Sequence, residues 1–257
     1  MTLTVILPSH NRRRLLALAI ASLLRQADDP AAPLPQPLDL LVIDDGSTDD
    51  TAALLAELSA RDGRIRYRRQ SQAGVSAARN AGLAALLPET EVVSFLDSDD
   101  LSPPGRLAAD LAPLLADPGL DLTYGRMMLV DQLDDQTLVP APAAHCLTMT
   151  GIQLSAGLYR RRLLERIGGF DPSLQQAEDT DYLLRIFESG CRWLQTDTVC
   201  LYYRRHGQSL SANSAVARRW FAAALHRSLQ RRRHNPALQL QRPTFGIQPL
   251  SAIPLPP

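Results

Sequence analysis

The chain has 257 residues, 45% hydrophobic and 21% charged, without an apolar run near the ~18–20 residues of a membrane span; it is long enough for one large domain or two small ones. All 27 basic side chains are arginine, which excludes Schiff-base lysine chemistry, pyridoxal phosphate attachment and a lysine-bearing P-loop. Formal net charge is zero but uneven: no acid follows Asp197 while nine arginines do, leaving an acidic part suited to a metal ion and a basic part suited to an anionic surface or partner.

The opening MTLTVILPSHN reads as a strand, Leu3–Leu7, not as a leader peptide. Apolar positions near helical spacing predict a helix over Arg13–Arg25, and a proline- and aspartate-rich loop runs from Asp28 to Pro37. Leu38–Ile43 is apolar enough for a strand buried on both faces. The polar turn Asp44–Asp50 offers Ser47 and Thr48 as candidate N-caps for a helix over Ala52–Ala60. A strand at Ile65–Arg68, a helix at Ser76–Leu86 and a strand at Val92–Leu96 follow. This alternation predicts an α/β fold with a mostly parallel sheet between helices.

The second half is less regular. Helices are expected at Arg106–Leu115, Arg161–Ile167 and Thr180–Glu188, and strands at Leu122–Val130, Arg192–Gln195 and Val199–Tyr203. Residues 131–150 read as a loop. A helix over Ala215–Arg233 precedes an irregular tail from Gln239 to Pro257. Cys146, Cys191 and Cys200 form neither a CxxC pair nor a zinc spacing. Their odd number points to reduced, structural thiols in a cytosolic setting.

In an open parallel sheet, ligands bind beyond the carboxyl ends of the strands. Three polar clusters follow strands there: Pro8-Ser9-His10-Asn11-Arg12, Asp44-Asp45-Gly46-Ser47 and Asp97-Ser98-Asp99-Asp100. Three carboxylates within four residues repel one another, and a hard divalent cation is the simplest neutraliser; a solvated, helix-capping turn is the alternative. Asp44-Asp45 reads as a base or ribose acceptor, or as an Asx turn. Arg79, near a helix N-terminus at Ser76, suits a phosphate or a plain surface. Glu178-Asp179, with Asp181 behind, opens a helix and serves as a cap or as a base facing a cleft. His206 alone is more simply structural than a ligand.

Together these segments resemble glycosyltransferase family 2, with its GT-A nucleotide-sugar fold. The matching pieces are VILPSHNR (5–12), LLVIDDGSTDDT (40–51), QAGVSAARNAGL (72–83), VVSFLDSDDLSPPGRL (92–107), GGFDPSL (168–174), EDTDYLLRI (178–186) and LYYRRHGQSLS (201–211). Each is weak alone; their shared order carries the resemblance. It implies a domain over 1–211, with a nucleotide-sugar half (1–100) and an acceptor and catalytic half (101–211), followed by a basic helix and proline-rich tail (212–257).

By this resemblance Pro8, Ser9, Asn11 and Arg12 form the nucleotide-base loop, Asp45 reads the base and Arg79 binds the nucleotide. Asp97, Ser98 and Asp99 match the DxD motif. Asp97 is then expected at the ribose or metal, Asp99 at the metal and diphosphate, and His206 completes the metal site. Asp179 matches the general base. The implied reaction is metal-dependent (Mn²⁺ or Mg²⁺), inverting transfer of a single sugar from a nucleotide-diphosphate sugar. Family habit favours UDP, with thymidine and guanosine donors open. The implied acceptor is a saccharide or lipid-linked hydroxyl, in surface or exopolysaccharide synthesis.

Departures are His10, where a tyrosine is common, and the absence of the QxxRW segment of processive synthases. A dehalogenase-type phosphatase, a nucleotidylyltransferase and a dinucleotide dehydrogenase fail on spacing, lysine or glycine fingerprint. A catalytically silent nucleotide-sugar-binding domain is the remaining alternative. The helix over 215–233 reads either as an interfacial helix on anionic lipid or, more simply, as a docked helix with a solvated arginine face. Nucleic acid is not expected, since no aromatic platform accompanies the charge. The expected location is cytoplasmic, with peripheral contact at the inner face of the plasma membrane left open.

Overall fold

A computed structural model describes residues 2–205, 214–243 and 245. In chain order the elements are β1 (Thr2–Ser9), α1 (Arg13–Ala27), β2 (Leu38–Asp44), α2 (Thr51–Arg61), β3 (Ile65–Arg69), α3 (Val75–Ala84), β4 (Thr90–Phe95), α4 (Arg106–Ala116) and β5 (Leu122–Val130). Then come β6 (Cys146–Met149), a 3-10 turn (Leu154–Ala156), β7 (Gly157–Arg160), α5 (Arg161–Ile167), α6 (Glu178–Glu188), β8 (Trp193–Arg204) and α7 (Ser214–His234). One mixed sheet runs β3-β2-β1-β4-β7-β5-β6, with β8 on the other edge of β5. The pairs β1–β2, β1–β4, β2–β3 and β5–β8 are parallel; β4–β7, β5–β7 and β5–β6 are antiparallel.

Alternate side chains of the buried strands feed two cores, one on each face. Leu3, Val5 and Leu7 of β1 meet Leu16, Ile20 and Leu23 of α1, Leu55 of α2 and Leu107 and Leu111 of α4. On the other face Ile6, Val93 and Phe95 meet Leu163 of α5 and Tyr182 and Ile186 of α6. Each fully buried side chain of this kind contributes ~1.5–3 kcal/mol. Helix α3 lies very close to β1. A Cβ on Gly82 would stand 2.5 Å from Ile6 Cγ2, so glycine sets this helix–strand distance.

Several expectations are corrected. The stretch 131–150 is not all loop: its last residues form β6, paired with β5. Four-residue β7 was not anticipated, because it runs directly from the 3-10 turn into α5 and carries no periodic signal. The two strands expected near the end are one strand, β8, whose register against β5 shifts around Gly125 and Arg126. A Cβ on Gly125 would lie 2.6 Å from the Thr198 carbonyl. Ser47 and Thr48 do not cap α2. The Thr51 N–H donates to Asp49 Oδ1 (3.1 Å), while Ser47 and Thr48 bond to Asn11. Of the three free thiols, Cys191 and Cys200 are buried, whereas Cys146 is exposed on β6 and so has no core role. Among the described residues no helix is long and apolar enough to cross a membrane.

The junction between the parallel and antiparallel halves is held by Arg106, which is fully buried. Its Nη2 donates to Ser94 Oγ (3.2 Å), Ser155 O (2.9 Å) and Gly157 O (3.2 Å), and its Nε to Asp110 Oδ2 (3.2 Å). Asp110 also accepts from Cys200 Sγ (2.9 Å) and Thr196 Oγ1 (3.2 Å). Breaking such a pair strands a buried charge, while replacing both partners by apolar groups can be close to neutral. Arg106→Leu should cost ~3–5 kcal/mol in urea unfolding, and Arg106→Leu/Asp110→Leu should recover much of it.

Candidate active site

Strands β1, β2 and β4 end on one edge, with β1 flanked by β2 on one side and β4 on the other. This is the reversal point of the strand order, where a crevice opens in doubly wound sheets. Pro8 and Ser9 belong to β1 itself and are buried, with Ser9 Oγ lacking a partner, so the exposed part of the first loop begins at His10. Asn11 adopts φ +50°, a conformation asparagine tolerates better than most residues. Its Oδ1 accepts from the N–H of Thr48 (2.7 Å) and Asp49 (3.3 Å), and its own N–H donates to Ser47 Oγ (2.9 Å).

That arrangement fixes the His10 tautomer. With Oδ1 accepting, Asn11 Nδ2 is the donor to His10 Nε2 (3.2 Å), joined by Gln72 Nε2 (3.3 Å). The proton therefore sits on Nδ1, which donates to the Asp45 carbonyl (2.8 Å). His10 thus bolts the first loop to the second and third, and both ring nitrogens are used by the protein. Asp45 is buried and ties the same loops: Oδ1 accepts from Gln70 Nε2 (2.7 Å) and Ala73 N (2.9 Å), and Oδ2 from Gly74 N (2.8 Å). A carboxylate oxygen has two acceptor positions, so Oδ2 retains one.

The three carboxylates after β4 part company. Asp97 Oδ1 accepts from Arg79 Nη2 (2.7 Å) and Asp99 Oδ2 from Arg12 Nη1 (3.0 Å). Asp100 turns inward and accepts the Arg204 N–H (2.9 Å). Burial, then the charges of Asp99 and Asp97, push the Asp100 carboxyl well above the usual range. Arginine therefore relieves much of the repulsion that the sequence alone assigned to a metal. Ser98, between the two outward aspartates, is buried.

Arg79 is buried on α3 and spans two elements: Nη2 reaches Asp97 while Nη1 donates to Glu178 Oε1 (2.5 Å) at the start of α6. Burial alone would lower its pKa, but the charges of Asp97, Glu178 and Asp179 outweigh that and hold it above its ordinary value. The next residue, Asn80, fixes the approach to α6. Its Oδ1 accepts the Phe170 N–H (2.7 Å) and its Nδ2 donates to the Phe170 carbonyl (2.9 Å). Phe170 stacks on Tyr182 at 3.9 Å and lies 5.5 Å from the Arg79 guanidinium carbon.

Asp179 is half-buried beside this bridge. Burial raises its carboxyl to about 7, Glu178 adds to the rise, and Arg79 opposes it. Ala177, just before the pair, adopts φ +59°, a strained conformation for alanine. Asp181 is not part of the cluster. It bonds Arg185 Nε (3.0 Å) and Arg231 Nη1 (2.7 Å) on the far side of α6. His206 lies outside the described residues.

The edge thus joins Arg12, Asp97, Asp99, Arg79, Glu178 and Asp179, with Asn11 and Asp45 building the wall beside them. Sequence reasoning assigned no role to Gln70, Asn80 or Arg204, and its pairing of Glu178 with Arg79 was unforeseen. Glu178 is visible as the neighbour of Asp179; the other three carry no local pattern. Asp97 and Asp99 are part-exposed (27% and 23%) hard oxygen donors. Among the described residues no group of three His, Cys, Asp or Glu could hold a metal alone. This donor set fits a divalent cation completed by substrate phosphates.

Residues 4–167 match the family model for glycosyl transferase family 2. The chain belongs to that family. It is a transferase enzyme with a GT-A fold. It is 29% identical over 236 residues to an uncharacterised glycosyltransferase of a Nostoc species, covering 84% of this chain and 69% of the relative. It is 27% identical over 211 residues to the succinoglycan biosynthesis protein ExoU of Rhizobium meliloti, covering 74% and 58%. Among solved structures it resembles the mannosyltransferase PcManGT of Pyrobaculum calidifontis, in complex with GDP-Man and Mn²⁺ (TM-score 0.67, 19% identity, 89% of this chain and 64% of that one). It also resembles S. aureus TarS 1–349 with UDP-GlcNAc (TM-score 0.67, 21% identity, 89% and 65%).

Among the described residues Arg79 is the cation shared by Asp97 and buried Glu178. Arg79→Met should therefore destabilise the fold by ~3–5 kcal/mol in urea unfolding, and adding Glu178→Gln should restore part of the loss.

Proposed function

We propose that the chain transfers one sugar from a nucleotide-diphosphate sugar to an acceptor hydroxyl, with inversion at the anomeric carbon. The observation that carries this reading is the placement of Asp179 in the first turn of α6, half-buried beside the Arg79 bridge that joins α6 to Asp97; burial there raises its carboxyl to about 7. A general base works best with a pKa near the operating pH. Asp179 would accept the hydroxyl proton as the acceptor oxygen attacks and the diphosphate leaves from the opposite side.

The remaining acceptor position on Asp45 Oδ2 suits a base with an N–H on its pairing edge, as in uracil, thymine and guanine. Asn11 and Arg12 would border the nucleotide, and Arg79 would act by orienting Asp97. Asp99 and Asp97, with His206, would hold a divalent cation, which when bound offsets the charge of the leaving diphosphate as a Lewis acid. Pro8, Ser9 and Ser98 would support this wall from beneath, since all three are buried. Domain limits of 1–211 and 212–257 are part of the same reading.

A saccharide or lipid-linked acceptor in polysaccharide assembly is supported by the succinoglycan relative, and a metal by the neighbour with Mn²⁺. A cytoplasmic site of action is supported by three cysteines that form no disulfide.

Two measurements test this. A thermal-shift panel of UDP, GDP and dTDP with Mn²⁺, Mg²⁺ or EDTA should show a metal-dependent shift with one nucleotide. The gain is ~2.7 kcal/mol at about 100 times Kd, and Asp99→Ala should abolish it. A carboxyl titrating near 7 is ionised above that pH, so kcat/KM should rise about tenfold per pH unit below 7 and level off above. Asp179→Asn should lose ~10²–10⁴-fold in rate, and the residual rate should lack this acidic limb.

A further inference from the structure

Helix α7 has two unlike faces. The inner one is tied down by charge. Arg231 donates to Asp181 Oδ1 (2.7 Å) and Glu188 Oε2 (2.7 Å), Arg227 pairs with Asp171, and Ser228 bonds Glu188. Ala224 and Ser228 are buried on this side. The outer face carries Phe221, Leu225 and Leu229, each 38–46% exposed. Residues four apart on a helix drift by only ~40°, so these three form one line along α7.

Arg218, Arg219 and Arg233 flank that line. The helix contains no acidic residue, and neither does the sequence after Asp197. Among the described residues no carboxylate pairs with these three arginines. The outer face is thus an uncompensated positive rim around an exposed apolar ridge. A surface complementary to both must present anionic groups above an apolar layer, which an acidic bilayer does. Nucleic acid offers the phosphates but no bed for aliphatic side chains.

We propose that the outer face of α7 docks the protein on anionic lipid, with Phe221, Leu225 and Leu229 entering the headgroup boundary and Arg218, Arg219 and Arg233 meeting the phosphates. This goes beyond the proposed reaction and does not depend on it. α7 packs on α6, whose first turn carries Asp179, so docking would bring the catalytic half close to a lipid-borne acceptor.

The test is flotation of the full chain with phosphatidylcholine vesicles, with and without phosphatidylglycerol. Binding is expected only with phosphatidylglycerol, and high salt should weaken it. Each arginine near an anionic surface contributes about fivefold in affinity, so Arg218→Gln/Arg219→Gln/Arg233→Gln should bind about 100-fold more weakly. Turnover of a soluble donor and acceptor should be unchanged in that variant. Leu225→Trp, a single surface change, should shift its emission to the blue with anionic vesicles. Three outcomes overturn the proposal: no binding to phosphatidylglycerol vesicles, equal binding to neutral ones, or unchanged Leu225→Trp emission. A dimer in light scattering that Phe221→Ser/Leu225→Ser/Leu229→Ser dissolves would also overturn it, since a second copy would then cover the face. Absence of turnover in the unmutated chain, with vesicle binding intact, would instead count against the proposed reaction.

Discussion

A single buried guanidinium organises the site. Arg79 lies buried on α3, and its fork reaches one carboxylate after β4 and another at the start of α6. Arg79 or Glu178 alone would be costly to hold so far from water. Together the three groups form a bridge that fixes α6 relative to the parallel sheet. Arginine is suited to this, because its rigid fork bonds two carboxylates at once where an ammonium is a point charge. Gly82 lies one helical turn further along, where only a missing side chain lets α3 approach Ile6 so closely. Backbone packing and electrostatics therefore set the same distance.

The two halves of the site differ in kind. In the wall beside β1, three loops are locked by the His10 tautomer, the Asn11 amide and the Asp45 carboxylate, nearly all of whose polar atoms are satisfied internally. That wall is preformed. In the other half, Asp97 and Asp99 are each held by an arginine, Arg79 and Arg12, in ion pairs that leave both carboxylates part-exposed. Specific shape is built into one half and exchangeable charge into the other.

The parallel half of the fold was legible because its strands are apolar runs separated by turn residues, and its helices show clean periodicity. Leu38–Asp44 illustrates this: seven residues, all buried. The second half was less so. β7 is too short for a period, and β6 is half-exposed at an edge, so neither burial pattern stands out from a loop. Asp45, Asp97, Asp99 and Asp179 stood out in the sequence because they follow strands or open a helix. The bridge between Arg79 and Glu178 joins residues 99 apart in sequence, and Asn80 fixes Phe170 across 90. No local spacing encodes such pairs. The apolar set on α7 was legible as a loose helical face, but which members stay exposed was not: Trp220 and Phe221 are neighbours in sequence, yet the helix turns only one of them well into solvent.

The contrast among the three thiols has a practical consequence. Cys191 and Cys200 are enclosed, and burial raises both, the first to about 11. Cys146 stands on the edge strand β6, in the hairpin that reaches across to α1 through Arg25 and the Thr137 carbonyl (2.9 Å). Its thiol is also raised, by partial burial and then by Asp131, so it should react slowly at neutral pH and faster in alkali, since the thiolate is the nucleophile. A maleimide dye would thus mark the native chain at one position. Its anisotropy would report the motion of that hairpin without any cysteine having to be removed.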